Sequence, residues 1–330
     1  MEVCSMVGIK DIAHRASVSV STVSYALNGS PKITDKTRNR ILAIAKEMNY
    51  TPSLAGRTLK KQKTGIVGVY VRNFGGDFYS HMIDGVASVL QDHHYEMIVG
   101  SGGIRSQELI SQKIVDGAII LDVGFPTDTI EKYANAGCQV VVLDREMKHQ
   151  NIRCVLLDNA EGARQAISAL NERGVEHYIL VTGPMNSHDS LLRMQAAIAQ
   201  VEGVTGHSVL VIPSDFTIDG GVKAAEKIIQ SKLHQLGVFA LNDELAIGLY
   251  QGFAAHNLSV GSDIKIIGFD NDMLGTYLKP QLTTIDYSKH SWGERAAETI
   301  LKMIKGEDSD NILIRTRVMH RASLGEEMTK

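Results

Sequence analysis

The chain is poor in cysteine. Its three cysteines, Cys4, Cys138 and Cys154, are too few and too scattered to build a disulfide framework or a cysteine-ligated metal cluster. Cys138 and Cys154 sit in apolar runs and read as small core residues. The chain also lacks any apolar run long enough to span a bilayer, and its start has no charged stretch followed by a long hydrophobic core. A protein that resides in the cytoplasm without a membrane anchor is therefore expected. Phosphate-cradling signatures are missing as well: Gly100-Ser101-Gly102-Gly103 is not followed by Gly-Lys-Ser/Thr, and no Gly-x-Gly-x-x-Gly opens a helix. The twelve histidines show no His-x-x-x-His spacing and none joined to cysteines at ligand spacing, so no metal and no cofactor is expected.

What is present fits a soluble globular protein, with 44% hydrophobic and 22% charged residues. At 330 residues two or three folding units are expected. Charge is divided unevenly among them. Residues 1–63 hold eleven Lys/Arg against four Asp/Glu, a net of +7, whereas the remainder carries −10. A basic module joined to an acidic one suggests a polyanion-binding head on a body that binds something else.

Within the head, Val18-Ser19-Val20-Ser21-Thr22-Val23-Ser24-Tyr25-Ala26-Leu27-Asn28 follows a tight turn at Ala16-Ser17-Val18. Val20, Val23 and Leu27 recur at helical spacing and are expected to be buried, with Ser21, Thr22, Ser24 and Tyr25 on the opposite face. Small hydroxyls and one aromatic suit a surface lying in a major groove, although a serine-rich solvent face would look the same on these residues alone. A first helix is expected over Ile9–Ala16, with Ile12, Ala13 and Ala16 inward. A third, capped by Thr34, carries the stripe Ile41, Leu42, Ile44, Ala45 and Met48. Tyr50-Thr51-Pro52 stops it. Ser53–Lys61 can form one more short helix, unstable in isolation and weakened by Gly56 by roughly 1 kcal/mol relative to alanine.

From Gly65 the pattern becomes apolar strands alternating with amphipathic helices. Strands are expected at 66–71, 96–99, 117–121, 140–143, 178–181, 208–211, 237–241 and 264–268. Helices are expected between them, among them 79–91, 162–173, 220–232 and 244–256. Near-continuous apolar strands separated by helices mean parallel sheets covered on both faces. There are more strands than one tidy sheet holds, which gives two α/β lobes. The ends of several strands carry polar groups: Asp144, Asn242 and Asp270. Such ends are where open α/β sheets bind ligands. Asp144 and Asp270 are also a candidate carboxylate pair for glycoside hydrolysis, but strand-end placement serves plain sugar binding equally well, and no enzyme is expected.

Residues 9–61 resemble the DNA-binding head of the LacI/GalR family of bacterial transcriptional regulators. The resemblance is carried by Ile-Lys-Asp-Ile-Ala, Ala-Ser-Val-Ser, Ser-Thr-Val-Ser, Leu-Asn-Gly, Thr-Arg-Asn-Arg-Ile, Asn-Tyr-Thr-Pro and Leu-Ala-Gly-Arg-Thr-Leu, in that family's order. It implies a helix-turn-helix domain over 1–63 with a hinge helix at 53–61. Val20, Ser21 and Tyr25 would read bases, with Thr22, Ser24, Asn28 and Arg57 also on the DNA side. Leu59 would be the wedge inserted in the minor groove at the centre of a palindromic operator. Two departures stand out: Tyr25 occupies a position where the family often has arginine, and Gly56 replaces the usual hinge alanine.

Residues from about Gly65 to Leu324 resemble the family's effector-binding core, which is akin to periplasmic sugar-binding proteins. The landmarks are Phe78-Tyr79, Asp158-Asn159, Thr182-Gly183-Pro184, Asn242-Asp243, Gly268-Phe269-Asp270 and Leu282-Thr283-Thr284-Ile285. The implied organisation is a dimerising core over 64–330, with one lobe at about 64–161 plus 291–320 and the other at about 162–290. Asp144, Arg193, Asn242 and Asp270 match the family's polar effector contacts. Phe78, Tyr79 and Phe216 would supply apolar faces, and Asp77 stands where relatives often have proline. The implied function is a homodimeric regulator, a repressor of carbohydrate-utilisation genes whose operator affinity is set by a sugar or sugar phosphate in the cleft. Without a leucine-heptad tail, a dimer is expected rather than a dimer of dimers. Two alternatives are a global carbon regulator governed by a phosphorylated carrier protein, and a sugar-binding protein with a vestigial head. Tyr287, Lys289 and Trp292, near a crossover, either line the cleft or pack.

Overall fold

The computed structural model describes residues 7–51, 63–74, 77–205 and 207–325. The expected hinge segment 53–61, with Arg57 and Leu59, lies outside them. The chain forms two compact units, Met1–Thr64 and Gly65–Lys330.

Among the described residues the head unit has three helices, α1 (Ile9–Arg15), α2 (Val20–Leu27) and α3 (Asp35–Glu47). Their shared core is small: Ile12, Ala13, Ala16, Val23, Ala26, Ile41 and Ala45. The α1–α2 turn passes through Ser17 at φ 50°, and the Val18 amide donates to the Ala13 carbonyl at 3.0 Å. Ser19 caps α2 by accepting from the Thr22 amide at 3.1 Å, and Thr34 caps α3 through the Thr37 amide. The expected inward stripe of α2 needs correction, because Val20 is 43% exposed and Ala26 is buried instead. With Ser19 as the cap, Val20 opens the first turn and overhangs the edge of the packing. Leu42 is likewise exposed on α3.

The second unit holds two six-stranded sheets. The first runs β11-β5-β4-β3-β1-β2, built from β1 (Ile66–Val71), β2 (Glu96–Gly100), β3 (Gly117–Leu121), β4 (Gln139–Val142), β5 (Ile152–Leu157) and β11 (Ile312–Ile314). All its pairings are parallel, with Val69 opposite Val99 on one side and Ile119 on the other. The second runs β12-β10-β9-β8-β6-β7, from β6 (His177–Val181), β7 (Val209–Ile212), β8 (Leu236–Ala240), β9 (Ile264–Phe269), β10 (Thr283–Asp286) and β12 (Arg317–Met319). Only β12 is antiparallel to its neighbour among these pairings.

Burial follows from this topology. Val67, Val69, Ile119, Val141, Phe239 and Ile267 are fully buried because helices cover both faces. β5, β10, β11 and β12 are not among the expected strands; β5 has six residues and β10 four, whereas β11 and β12 have three each, too few for a pattern. β12 pairs with β10, so the stretch expected in the first lobe up to residue 320 divides: β11 joins the first sheet and β12 the second. The helix Lys289–Lys305 packs against Asp77–Asp92 in the first lobe. Their axes approach closely because Gly85 lies against the His290 carbonyl and Gly293 against the Met82 carbonyl, where a Cβ would overlap backbone. Among the described residues no helix is long and apolar enough to cross a membrane.

Candidate functional site

The exposed side of α2 is short and nearly neutral. Val20, Ser21 and Asn28 are exposed, whereas Thr22, Ser24 and Tyr25 are half-buried. Local bonds employ several of these groups. The Thr22 hydroxyl shares a hydrogen bond with Ser19 at 2.8 Å, and the Asn28 amide donates to the Ser24 carbonyl at 2.6 Å. These two side chains therefore finish the helix ends, while Val20, Ser21 and Tyr25 project. The Lys32 ammonium lies 5.4 Å from the Tyr25 ring centre, a cation beside an aromatic. Arg40 and Arg38 instead donate to the Ala16 and Ser30 carbonyls and hold the two turns around α2 in place.

In the second unit the carboxyl ends of both parallel sheets bring polar side chains together. On the first-lobe side, buried Asp144 is gripped bidentately by its neighbour Arg145, at 2.9 Å from Nε and 2.8 Å from Nη2. Arg145 also donates to the carbonyls of Asp122 and Phe125 and to the Thr127 hydroxyl, so its fork is fully occupied. Asp122, buried at the end of β3, accepts from the Gly124 amide at 2.8 Å and faces Arg72 at 3.8 Å.

On the second-lobe side, Arg193 is 3% exposed. Its Nε donates to Asn159 Oδ1 at 2.7 Å and its Nη1 to the Leu241 carbonyl at 2.6 Å; Nη1 stands 3.8 Å from Asp270 Oδ1. The guanidinium carbon lies 3.5 Å from the centre of the Phe269 ring, a stacked arrangement. Asn159 in turn donates to Asp189 at 2.8 Å. Asp270 accepts from the Tyr287 hydroxyl at 2.8 Å. Lys289 sends its ammonium to the Asp270 carbonyl, the Asn271 carbonyl at 3.4 Å and the Asp272 carboxylate at 3.0 Å.

Burial governs how these groups hold protons. Desolvation pushes the Asp270 carboxyl up to about 7; Arg193, Lys289 and the Tyr287 hydrogen bond oppose it, and Asp272 adds to it. Burial likewise raises Asp189, against the pull of Arg193, and raises Asp243, which Asp272 and Asp270 reinforce. The Tyr79 phenol is pushed up to about 12, first by burial and then by Asp122, with Asp144 and Asp270 contributing. Carboxylates of both lobes thus act on one tyrosine.

The other expected site residues are placed as follows. Asn242 caps the helix Asp243–Ala254, accepting from the Leu245 amide at 2.9 Å and donating to the Phe216 carbonyl at 3.1 Å. Phe216 takes φ 66°, and its ring fills the space where a Cβ at Gly183 would stand. Phe78 turns toward the core, edge-on to Trp292 at 6.1 Å. Asp77 opens the helix that carries Phe78 and Tyr79. Trp292 packs, fully buried, with its indole N–H on the Val155 carbonyl at 2.7 Å. Asp122 occupies the same strand-end position as Asp144, so the rule that found one finds the other. Arg145 and Asp189 carry no such signal, whereas Tyr287 and Lys289 are expected either to line the cleft or to pack.

Two family models match the chain. Residues 8–53 match "Bacterial regulatory proteins, lacI family", and residues 167–324 match "Periplasmic binding protein-like domain". The ribose operon repressor of Haemophilus influenzae is 30% identical over 316 residues, which cover 92% of this chain and 94% of that protein. The chain belongs to the LacI family. As a LacI-family member it is a DNA-binding transcriptional regulator. A sugar-binding LacI-family regulator from Enterococcus faecalis is 43% identical, with a TM-score of 0.76 over 81% of this chain and all of that one. A LacI-family regulator from Enterococcus faecium, solved with bound ribose, is 26% identical, with a TM-score of 0.73 over 80% of this chain and 100% of that chain. Among the described residues no group of three His, Cys, Asp or Glu side chains is placed to hold a metal ion.

Proposed function

We propose that this LacI-family protein is a cytoplasmic, homodimeric repressor whose operator affinity is set by an uncharged sugar bound between Asp144–Arg145 and Arg193–Asp270. The observation that carries the ligand class is the charge pairing of the two walls. Arg145 meets Asp144, Arg193 faces Asp270, Lys289 meets Asp272 and Arg72 faces Asp122. Arg145, Arg193 and Lys289 are largely buried beside carboxylates, so a phosphate reaching any of them would have to displace a partner. A polyol needs only donors and acceptors side by side, which Asp144, Arg193 and Asp270 present. Tyr79 and Phe216 add apolar faces at the same place.

A catalytic reading of Asp144 and Asp270 has less support. Asp144 is locked by a bidentate arginine, which leaves Asp270, held near 7, without the free second carboxylate that glycoside hydrolysis requires. In the head, Val20, Ser21 and Tyr25 are proposed to meet base edges. Tyrosine cannot grip guanine bidentately as arginine does, so a shifted base preference is expected at that step.

The test is a thermal-shift series with D-ribose, other neutral pentoses and hexoses, and ribose 5-phosphate. A ligand binding only the native state raises the melting temperature. Neutral sugars should raise it and the phosphate ester should not; a response confined to phosphorylated sugars would overturn the assignment.

A further inference from the structure

Lys289 stands at the boundary between the lobes. It is the first residue of the helix Lys289–Lys305, which is seated on the first-lobe helix Asp77–Asp92 at the two glycine contacts described above. Its side chain, only 7% exposed, reaches back into the second lobe. An ammonium has three donors, and here they meet three acceptors on a single loop: the carbonyls of Asp270 and Asn271 and the carboxylate of Asp272.

That loop is unusual. Asp270 and Asn271 have φ of 114° and 51°, two consecutive non-glycine residues in the left-handed region. Such backbone persists only where its surroundings over-determine it. The surroundings are specific. The Asn271 side chain donates to Asp286 at 2.9 Å and accepts from Arg321 at 2.5 Å, its amide donates to Thr284, and the Asp272 amide donates to buried Asp243 at 2.8 Å. Lys289 is the member of this set that comes from the helix of the other lobe. Two residues before it, Tyr287 donates to the carboxylate of the same Asp270.

We infer that Lys289 is the positioning residue through which ligand contact at Asp270 is transmitted to the first lobe, by holding the Asp270–Asp272 loop on the segment that enters Lys289–Lys305. A hydroxyl that engages Asp270 competes with Tyr287 and Arg193 for its oxygens and shifts a loop whose carbonyls are held by Lys289. The displacement then passes into a helix whose next turn carries Trp292, which touches Phe78 at 6.1 Å and Tyr287 at 5.9 Å. Contact is continuous from Asp270 to the helix bearing Phe78 and Tyr79. This inference rests on the sugar-effector reading of the cleft.

The experiment uses the full chain with three variants: Lys289→Met, the charge-balanced Lys289→Met/Asp272→Asn, and Lys289→Arg. The double variant guards against misfolding, since it leaves no uncompensated carboxylate. Two readouts separate the claims. Hydrogen exchange without ligand should show faster exchange at 270–272 and 286–289 in the double variant and near-parental rates in Lys289→Arg. Unchanged exchange in the double variant would overturn the tether whatever the ligand. With D-ribose as probe, the chain's single tryptophan, Trp292, should change its emission in the parent and in Lys289→Arg. In the double variant calorimetry should still detect ribose while the Trp292 response and the effect on DNA affinity disappear. Parental coupling is expected in the usual range of about 5- to 150-fold, falling below about twofold. A double variant that keeps parental coupling contradicts the inference. A parent that binds no neutral sugar refutes the effector reading alone, and hydrogen exchange still decides the tether.

Discussion

The two walls of the cleft solve the same electrostatic problem differently. In the first lobe Asp144 and Arg145 are adjacent in sequence and meet at 2.8 and 2.9 Å, with the rest of the guanidinium bound to carbonyls of its own lobe. In the second lobe Arg193 and Asp270 are 77 positions apart by their numbering and stand at 3.8 Å, each with its nearest bonds to other groups. One wall is a closed pair. The other is a loose pair wired outward, through Asn159 to Asp189 and through Tyr287 and Lys289 to the crossover. The first is held within its own lobe, whereas the second is connected onward to the crossover.

Breaking the second wall should have the largest effect. Arg193→Ala removes the cation between Asp270 and Asp189 and leaves Asn159 and the Leu241 carbonyl without their donor. Loss of one partner of a buried pair costs about 3–5 kcal/mol. Calorimetry should find no sugar binding, while anisotropy should find operator affinity intact in protein that remains folded at low temperature. Retained sugar response in this variant would remove Arg193 from the site. Arg145→Met tests the first wall. Arg145 is 16% exposed by side chain, so the cost should lie at or below the lower end of that range, roughly 3 kcal/mol, read by urea denaturation. Its effect on hydrogen exchange at 286–289 should be nil, which sharpens the contrast between a closed and a wired pair.

A pH experiment separates the walls further. Asp270 is held near 7 against an ordinary 3.8, so the native state binds more protons than the unfolded one between those values. Stability should therefore fall as pH rises from about 4 through 7 and level off above. Asp270→Asn should flatten this dependence, gaining roughly 2–4 kcal/mol on the parent between pH 5 and pH 8. Parallel denaturation curves for parent and variant at both pH values would refute the raised carboxyl. The smallest effect is expected outside both walls. Ser19→Ala should cost about 1 kcal/mol by removing the α2 cap, and lower the melting of the head while leaving sugar binding unchanged.

What could be read in advance follows the range of the interactions involved. The α2 helix, its flanking turn and the Thr34 cap are local, and periodicity with capping chemistry carries them. Val20 was misplaced because periodicity assigns a face but not where a helix begins relative to its neighbours. Asp144, Asn242 and Asp270 were legible as strand ends, and structure then divided them: Asn242 is a helix cap, whereas the two aspartates are ion-paired. For Tyr287 and Lys289 the residue pattern leaves packing and lining the cleft equally open. They do neither simply, since their partners at Asp270–Asp272 lie 17 to 19 residues away across a loop whose left-handed backbone nothing in the residue pattern announces. Phe216 shows the same limit, because it combines a φ of 66° with a ring seated on Gly183, 33 positions away in sequence.

A neutral sugar in this cleft is proposed to set DNA affinity. The direct measurement is fluorescence anisotropy of the full chain on palindromic duplexes recovered by selection from random DNA, at two salt concentrations, with and without D-ribose and the neutral sugars that raise the melting temperature. Sequence-preferring binding is expected that weakens steeply with salt and changes at least about fivefold when the sugar is present. Binding that is indifferent to sequence, or sequence-specific binding that no neutral sugar alters, would contradict it.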